Sequence, residues 1–296
     1  MAPRNTLLDQ LSPTQRIALA VAVLVIAGII VLVRAWKEQP SPTGEPGQTL
    51  TNRNIRFGMP AEAKAEPASK DAYLIEREQY VLSYNDSKKT PNWVCWNLKR
   101  SDIGDTRRAP GFEPDPDLPP GFHHIRQSDY TSSGFDRGHM CPSKDRSDTP
   151  ENNKFTFFTT NIVPQSPKCN RGAWERFESH CRDLTRDGSE LYIAAGPDGE
   201  GGTGEHGPHN TIGKPSIVVP AAVWKVVLVL PNGEATPTQT TRTLAVWMPN
   251  NQTITDDWKS YVISITDVEN RTGYKFFPLV PDDVATTIKN RIDRGP

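Results

Sequence analysis

The sequence predicts an α+β domain built on a mixed, largely antiparallel sheet and preceded by one transmembrane helix. Short β-branched or alternating runs outnumber helical patterns, and they show no regular strand-helix alternation of the kind a doubly wound parallel sheet requires. One uncharged run of membrane-spanning length stands near the start. The composition, 35% hydrophobic and 23% charged with 27 prolines and 21 glycines in 296 residues, describes a loop-rich globular body. It excludes a coiled coil, a collagen and a multi-span membrane protein. With 34 Lys+Arg against 35 Asp+Glu the formal charge is -1. No general basic field therefore draws the chain to nucleic acid or anionic lipid, and any polyanion site must be local. Four cysteines without a Cys-x-x-Cys pair exclude a disulfide scaffold, a zinc knuckle and a thioredoxin-like motif.

Residues 17–33 read IALAVAVLVIAGIIVLV between Arg16 and Arg34, with Trp36 just outside. Residues 1–37 are accordingly read as an N-terminal tail and single-pass anchor. A cleaved signal peptide and a buried soluble helix are the competing readings, but Val-Leu-Val-Arg-Ala-Trp offers no small-x-small cleavage site. Arg4 and Arg16 before the run and Arg34 and Lys37 after it leave its orientation undecided. Residues 38–70 are rich in Pro, Gly, Glu, Ala, Thr and Lys without hydrophobic periodicity, a disordered-linker composition. The folded domain is placed at 71–296. Its predicted strands are 79–84, 92–98, 154–162, 191–195, 217–230, 242–247 and 261–265. A helix is predicted over 172–185, with Trp174, Phe177, Cys181 and Leu184 on one face. A second opens at the capping box Thr266-x-x-Glu269 and closes before Gly273, and a third follows Pro281.

Chemistry concentrates in the run from Ser133 to Pro142, which packs Asp136, Arg137, Gly138 and His139 into four residues. A neutral histidine can take a proton from water near pH 7, and an arginine two positions away can hold a phosphate oxygen. Taken alone, the tetrad fits equally a solvated turn with an Asp-Arg pair and a spectator histidine. A second run, Asn161-Ile162-Val163-Pro164-Gln165, is followed by Asn170-Arg171-Gly172-Ala173-Trp174-Glu175-Arg176-Phe177-Glu178 and Arg182.

Together these two runs resemble the DNA/RNA non-specific endonuclease family, in order and in spacing. The resemblance extends from about Tyr80 to the C-terminus and includes Arg271-Thr272-Gly273 and the run from Leu279 to Val284. It implies a ββα-metal, or His-Me finger, motif with His139 on the hairpin and Asn170 at the helix start. It further implies a magnesium-dependent endonuclease that cuts DNA and RNA with little sequence preference, leaving 5′-phosphate and 3′-hydroxyl ends. By resemblance, His139 is the general base and Asn170 holds the one Mg2+ ion, with Mn2+ as a substitute. A hard cation that keeps most of its waters can be held by one amide oxygen. Glu178, one turn from Arg182, orients metal-bound water. Arg137 and Arg182 neutralise charge on the phosphorane and bind substrate, and Asn161 supports the base. An upstream arginine also binds substrate, and Arg107 is favoured over Arg108.

The expected partners are DNA and RNA through their phosphate backbone, the membrane through the N-terminal helix, and a second copy of the chain; no inhibitor protein is named by the sequence. The catalytic domain is expected outside the cytoplasm. The alternative functions are a narrower phosphodiesterase or toxin-type nuclease, or a catalytically weak surface-tethered binding module. His123-His124 and His206 with His209 lack a third ligand and are read as spectators. Residues 196–213 lack a terminal Gly-Lys-Ser/Thr and are read as a long surface loop. Trp93, Trp96, Trp224 and Trp247 are read as core. Cys95, Cys141, Cys169 and Cys181 are read either as disulfides of an exported domain or as buried thiols.

Overall fold

The computed structural model describes Ser12 and residues 52–233 and 236–295. The predicted span 17–33 lies outside them, and among the described residues no helix is long and apolar enough to cross a membrane. Along the chain the strands are β1 (Tyr73–Glu76), β2 (Val81–Asn85), β3 (Thr90–Leu98), β4 (Asp136–His139), β5 (Ile162–Gln165) and β6 (Ser189–Asp198). They continue with β7 (Gly202–Gly204), β8 (Gly207–His209), β9 (Thr211–Ile212), β10 (Ile217–Val218), β11 (Ala222–Pro231) and β12 (Arg242–Pro249). The helices are α1 (Pro150–Phe155), α2 (Glu175–Arg186), α3 (Ile265–Thr272) and α4 (Asp282–Lys289).

Six strands form one sheet in the order β1-β2-β3-β6-β11-β12, every neighbouring pair antiparallel. Both of its faces are covered. Val94, Trp96 and Leu98 of β3 pack on one side with Met140, Trp174 and Phe177. Trp93 and Cys95 face the other side, against Ile55, Phe57, Val268 and Phe276. That double burial explains why β11 reads as a near-continuous apolar run, interrupted by Lys225, rather than an alternating one. The short β4-β5 ladder, which carries the tetrad, stands apart from the main sheet.

Several expected elements differ. The linker does not extend to residue 70: residues 52–70 are docked on the sheet, with Asn54, Ile55 and Phe57 buried. The Asn54 side chain donates to the carbonyls of Arg77 and Glu78 and accepts from the Asn97 N–H. Side-chain amides and a few apolar anchors hold this segment, so it shows no periodicity. Residues 154–162 are not a strand. Thr149 caps α1 by accepting from the Asn152 N–H, Pro150 suits its first turn, and a 3-10 turn at Thr159–Asn161 leads into β5. Pro220, which lacks an N–H, lies between β10 and β11 and divides the expected strand 217–230. Residues 261–265 form a 3-10 end and the start of α3, with only a bridge from Val262 to Val246. Ser264 and Asp267 make the capping box of α3 in place of Thr266 and Glu269, while Gly273 ends it at φ 74° as expected. Residues 196–213 hold the end of β6 and the β7-β8 hairpin instead of an open loop.

Candidate active site

The tetrad is β4 itself. His139 pairs with Ile162 and Gly138 with Val163, so β5 fixes the height of the imidazole along the ladder. Gly138 is required for space: a Cβ there would lie 2.6 Å from Gln165 Cβ, on a side chain that is 0% exposed. Asn161 is wholly buried just before β5 and clamps the exit from β4. Its Oδ1 accepts from the Cys141 N–H at 2.9 Å, and its Nδ2 donates to the carbonyls of Cys141 and Thr156, each at 2.9 Å. It thereby holds the backbone two residues beyond His139.

His139 is 8% exposed, and its Nε2 is buried without a partner among the described residues. Its ring sits between Phe157 and Phe112, at centroid distances of 4.8 and 5.2 Å. Burial, aided by the positive charge of Arg108, pushes its pKa down to about 3, so the free site holds a neutral imidazole. The same two phenyl rings seat two arginines. The Arg108 guanidinium lies 4.9 Å from the Phe157 centroid, and that of Arg137 lies 5.5 Å from Phe112. Arg137 Nη2 also donates to the Gln127 carbonyl at 3.4 Å. Arg108 is close enough to feel the carboxylates of Glu178 and Asp136. Of the two, Arg108 is the one the structure places beside Phe157 and His139. Its loop is held by Asn153 Oδ1, which accepts from the Ala109 N–H at 3.0 Å, and by Glu113, whose N–H donates to the Phe157 carbonyl at 3.2 Å.

Asp136 opens the same strand and ties Asn170 to it. Its Oδ2 accepts from Asn170 Nδ2 at 2.9 Å, and Arg171 grips it in bidentate fashion at 2.8 and 2.6 Å. Fixing Nδ2 in this way fixes the amide's orientation and reserves the carbonyl Oδ1 for an electrophile. Asn170 begins a π-helical turn, Asn170–Trp174, in which Gly172 leaves helical geometry at φ -104°, ψ -113°. Among the described residues no group of three His, Cys, Asp or Glu is arranged to hold a metal. An oriented amide oxygen beside a carboxylate fits a hard cation that keeps its waters, and does not fit a soft, multi-ligand metal.

Glu178 on α2 is 11% exposed and lies 3.3 Å from Lys225 Nζ. Burial raises its pKa, against the opposing charges of Lys225 and Arg182. Arg182 is 3% exposed, with Nη1 at 3.1 Å from Asp145 Oδ1 and Nη2 at 3.6 Å from Glu175. The expected contact of Arg182 with substrate is corrected accordingly. Its guanidinium lies beneath the site and is committed to Asp145, so it acts on Glu178 by charge. The sequence reading missed Lys225, which is 1% exposed on the β11 face shared by Val223, Val227 and Val229. Its Nζ lies 4.2 Å from the Trp174 centroid and 5.2 Å from that of Trp96. A lone lysine inside Ala222–Pro231 was the available signal. Phe112, Phe157 and Arg171 were also missed; only the tertiary fold brings them to the tetrad.

All four cysteines are free and buried, so the disulfide alternative is not formed. His123 Nδ1 lies 3.1 Å from Asp86, and His206 and His209 sit on the β7-β8 hairpin. Trp93, Trp96 and Trp224 are core as expected, and Trp247 is partly buried.

An antiparallel sheet supporting a buried neutral imidazole, flanking arginines and an oriented amide oxygen defines a hydrolase for phosphodiesters. The family described as DNA/RNA non-specific endonuclease matches residues 58–283, and the chain belongs to it. It is a hydrolase, a nuclease acting on DNA and RNA. The chain is 38% identical over 281 residues to a nuclease of Nostoc sp., covering 93% of this chain and 97% of that one. It is 33% identical over 219 residues to mitochondrial nuclease EXOG of Xenopus laevis, spanning 70% of this chain and 60% of the relative. Over 236 residues it is 28% identical to human mitochondrial endonuclease G, with 75% and 72% covered. Its fold matches a chain of the EndoG/EndoGI complex at a TM-score of 0.67 and 25% identity, covering 86% of this chain and 98% of that one.

Proposed function

We propose that this nuclease hydrolyses DNA and RNA backbones with His139 as general base and one magnesium ion held at Asn170 Oδ1, leaving 5′-phosphate and 3′-hydroxyl ends. One observation carries the reading: β4 ends in a neutral imidazole with an unpartnered Nε2 and begins with the carboxylate that orients Asn170. A two-stranded ladder followed by α2 supports the ββα-metal description of this motif. When bound, the ion supplies positive charge to the phosphate oxygens and to the departing 3′ oxygen. His139 takes a proton from the attacking water at Nε2. A phosphate beside Arg108 offsets the cation that depresses the imidazole, raising its proton affinity as the nucleophile forms. Arg108 and Arg137, seated on Phe157 and Phe112, grip phosphate oxygens and offset the charge growing on them. Contacts to phosphate carry little sequence information, which accounts for a broad substrate range.

The test is plasmid and RNA cleavage by the full chain with Mg2+ or EDTA, beside His139→Ala and Asn170→Ala, with the product ends identified by 5′-phosphatase treatment and labelling. The expected result is loss of cutting in EDTA and in both variants. Magnesium-dependent cutting that survives in Asn170→Ala overturns the ligand assignment. A folded chain that cuts neither nucleic acid points to the narrower phosphodiesterase. The run 17–33 is proposed as a membrane anchor holding the catalytic domain outside the cytoplasm. Protease resistance of that domain in intact cells would overturn the orientation.

A further inference from the structure

We propose that the cavity between residues 128–133 and 206–214, about 600 Å³ in volume, is a subsite for a nucleotide of the bound strand next to the one being cut. The inference rests on the nuclease reading of the His139 site. Its volume lies in the range of small-ligand pockets and accommodates one nucleotide. The lining suits a phosphodiester: hydroxyls of Ser128, Thr131 and Ser133, the imidazoles of His206 and His209, and the ammonium of Lys214. Asp129 is the one carboxylate among the lining residues, and its Oδ2 already accepts from the Arg126 N–H at 2.7 Å. Glu205, next on the hairpin, is not among the lining residues and lies near enough to Arg171 to feel its charge, although that guanidinium is paired with Asp136. A second cavity of about 630 Å³ is lined by four carboxylates, Glu175, Asp183, Asp256 and Asp257, against one arginine, Arg176, and one histidine, His180, a balance less suited to a polyanion.

A hydrogen bond links the cavity wall to the reacting centre. The Arg137 guanidinium donates to the Gln127 carbonyl, and Gln127 directly precedes Ser128 on the cavity wall. The opposite wall is pinned to the run that enters β4. The Glu205 N–H donates to the Gly134 carbonyl at 2.9 Å, and His209 packs edge-on against Phe135 at 6.1 Å between centroids. Gly134, at φ 79°, allows this approach, because a Cβ there would lie 3.0 Å from the His206 nitrogen. A strand whose scissile phosphate is held by Arg108 and Arg137 is thereby led toward the cavity wall that begins at Ser128. Lys214 and the hydroxyls take the neighbouring phosphate, and the imidazoles flank its sugar and base.

The experiment is cleavage of a single-stranded oligonucleotide by the full chain and by the triple variant His206→Ala/His209→Ala/Lys214→Ala, across a salt series, with Lys214→Ala as a milder second variant. These positions are exposed or half-buried on a hairpin and loop, and melting temperature reports folding. The triple variant is expected to raise KM about tenfold with kcat unchanged, and Lys214→Ala to flatten the salt dependence of log KM by about one unit of slope or slightly less. An unchanged KM and slope overturn the subsite while the nuclease reading stands. A fall in kcat with KM unchanged also overturns it, since that would place the hairpin's effect on β4 geometry. A wild-type chain that cuts no oligonucleotide overturns both readings.

Discussion

Replacing Gly138 by alanine isolates how the catalytic strand is placed. Gly138 has no positive φ, so its backbone accepts any residue, and only the space beside it selects glycine. The added methyl would sit 2.6 Å from Gln165 Cβ and closer still to Gln165 Oε1, against a normal carbon-carbon separation of roughly 3.5–4.0 Å. About 1 Å of relief is needed, and it must come from β4 or from a fully buried glutamine whose Nε2 already lies 3.4 Å from Cys169 Sγ. Overpacking of this kind costs about 1–3 kcal/mol. At roughly 2–4 °C per kcal/mol for a domain of this size, the melting temperature should fall by about 2–12 °C. Activity should fall further, because a shift of about 1 Å in a reacting group can cost around 100-fold. Differential scanning calorimetry and plasmid kinetics on Gly138→Ala measure both effects. Gln165→Gly in the same chain removes both contacts and should restore much of the rate. Alanine at 138 with unchanged melting and unchanged kcat/KM would refute the packing argument.

Asn161→Ala strips partners from three buried backbone groups at about 1–3 kcal/mol each, so urea denaturation should show a loss of more than about 3 kcal/mol with cleavage largely abolished. A loss within 0.5 kcal/mol would deny it the clamping role. Lys225→Met leaves Glu178 without its nearest cation and should cost about 3–5 kcal/mol, with Glu178→Gln added to the same chain recovering part of the stability; additive losses in the two variants would show the pair is not coupled. For His139 the folded pKa is depressed to about 3 while the unfolded value stays near 6.5, so below 6.5 the unfolded chain binds the extra proton. Its contribution to stability is complete above pH 6.5 and declines as pH falls toward 3, and His139→Phe should lessen that decline; identical pH-stability curves for the two chains would contradict the buried neutral state.

Much of the site was legible because it is written in consecutive residues. Asp136, His139, Asn161 and Asn170 lie in two short runs whose spacing survives in the fold as the β4-β5 ladder and the turn after it. What escaped is what distant segments contribute. Arg108 could not be separated from Arg107 until Phe157 showed which guanidinium had a ring to sit on. Arg182 has the spacing of a substrate ligand, one turn after Glu178, yet Asp145 draws it inward from 37 positions away. The missed strands and helices have a similar origin. Residues 155–160 are β-branched and aromatic, but a capped helix start and tertiary burial decide their conformation. At the other end of the scale, the helix end at Gly273 follows from its left-handed cap and the helix after Pro281 from the proline and its acidic first turn, and both were read correctly.

A formal charge of -1 is ill suited to a polyanion substrate, and the distribution of partners resolves the tension. Arg182, Lys225 and Arg146 are buried and bound to Asp145, Glu178 and backbone carbonyls, so their charge is spent on holding the site's underside. Many surface cations are likewise paired, as Lys144 is with Glu175 and Lys168 with Asp256. Arg108 and Arg137 differ: they make no ion pair within 4 Å among the described residues, and they rest on phenyl rings and, for Arg137, a carbonyl, groups that locate a guanidinium without neutralising it. A cation seated on an aromatic face keeps its donors for an incoming anion and loses less side-chain freedom when that anion arrives. The positive charge felt by His139 therefore comes from Arg108, seated on Phe157 beside Arg137 on Phe112, and net charge is a poor guide to it because many of the other charges among the described residues already have partners.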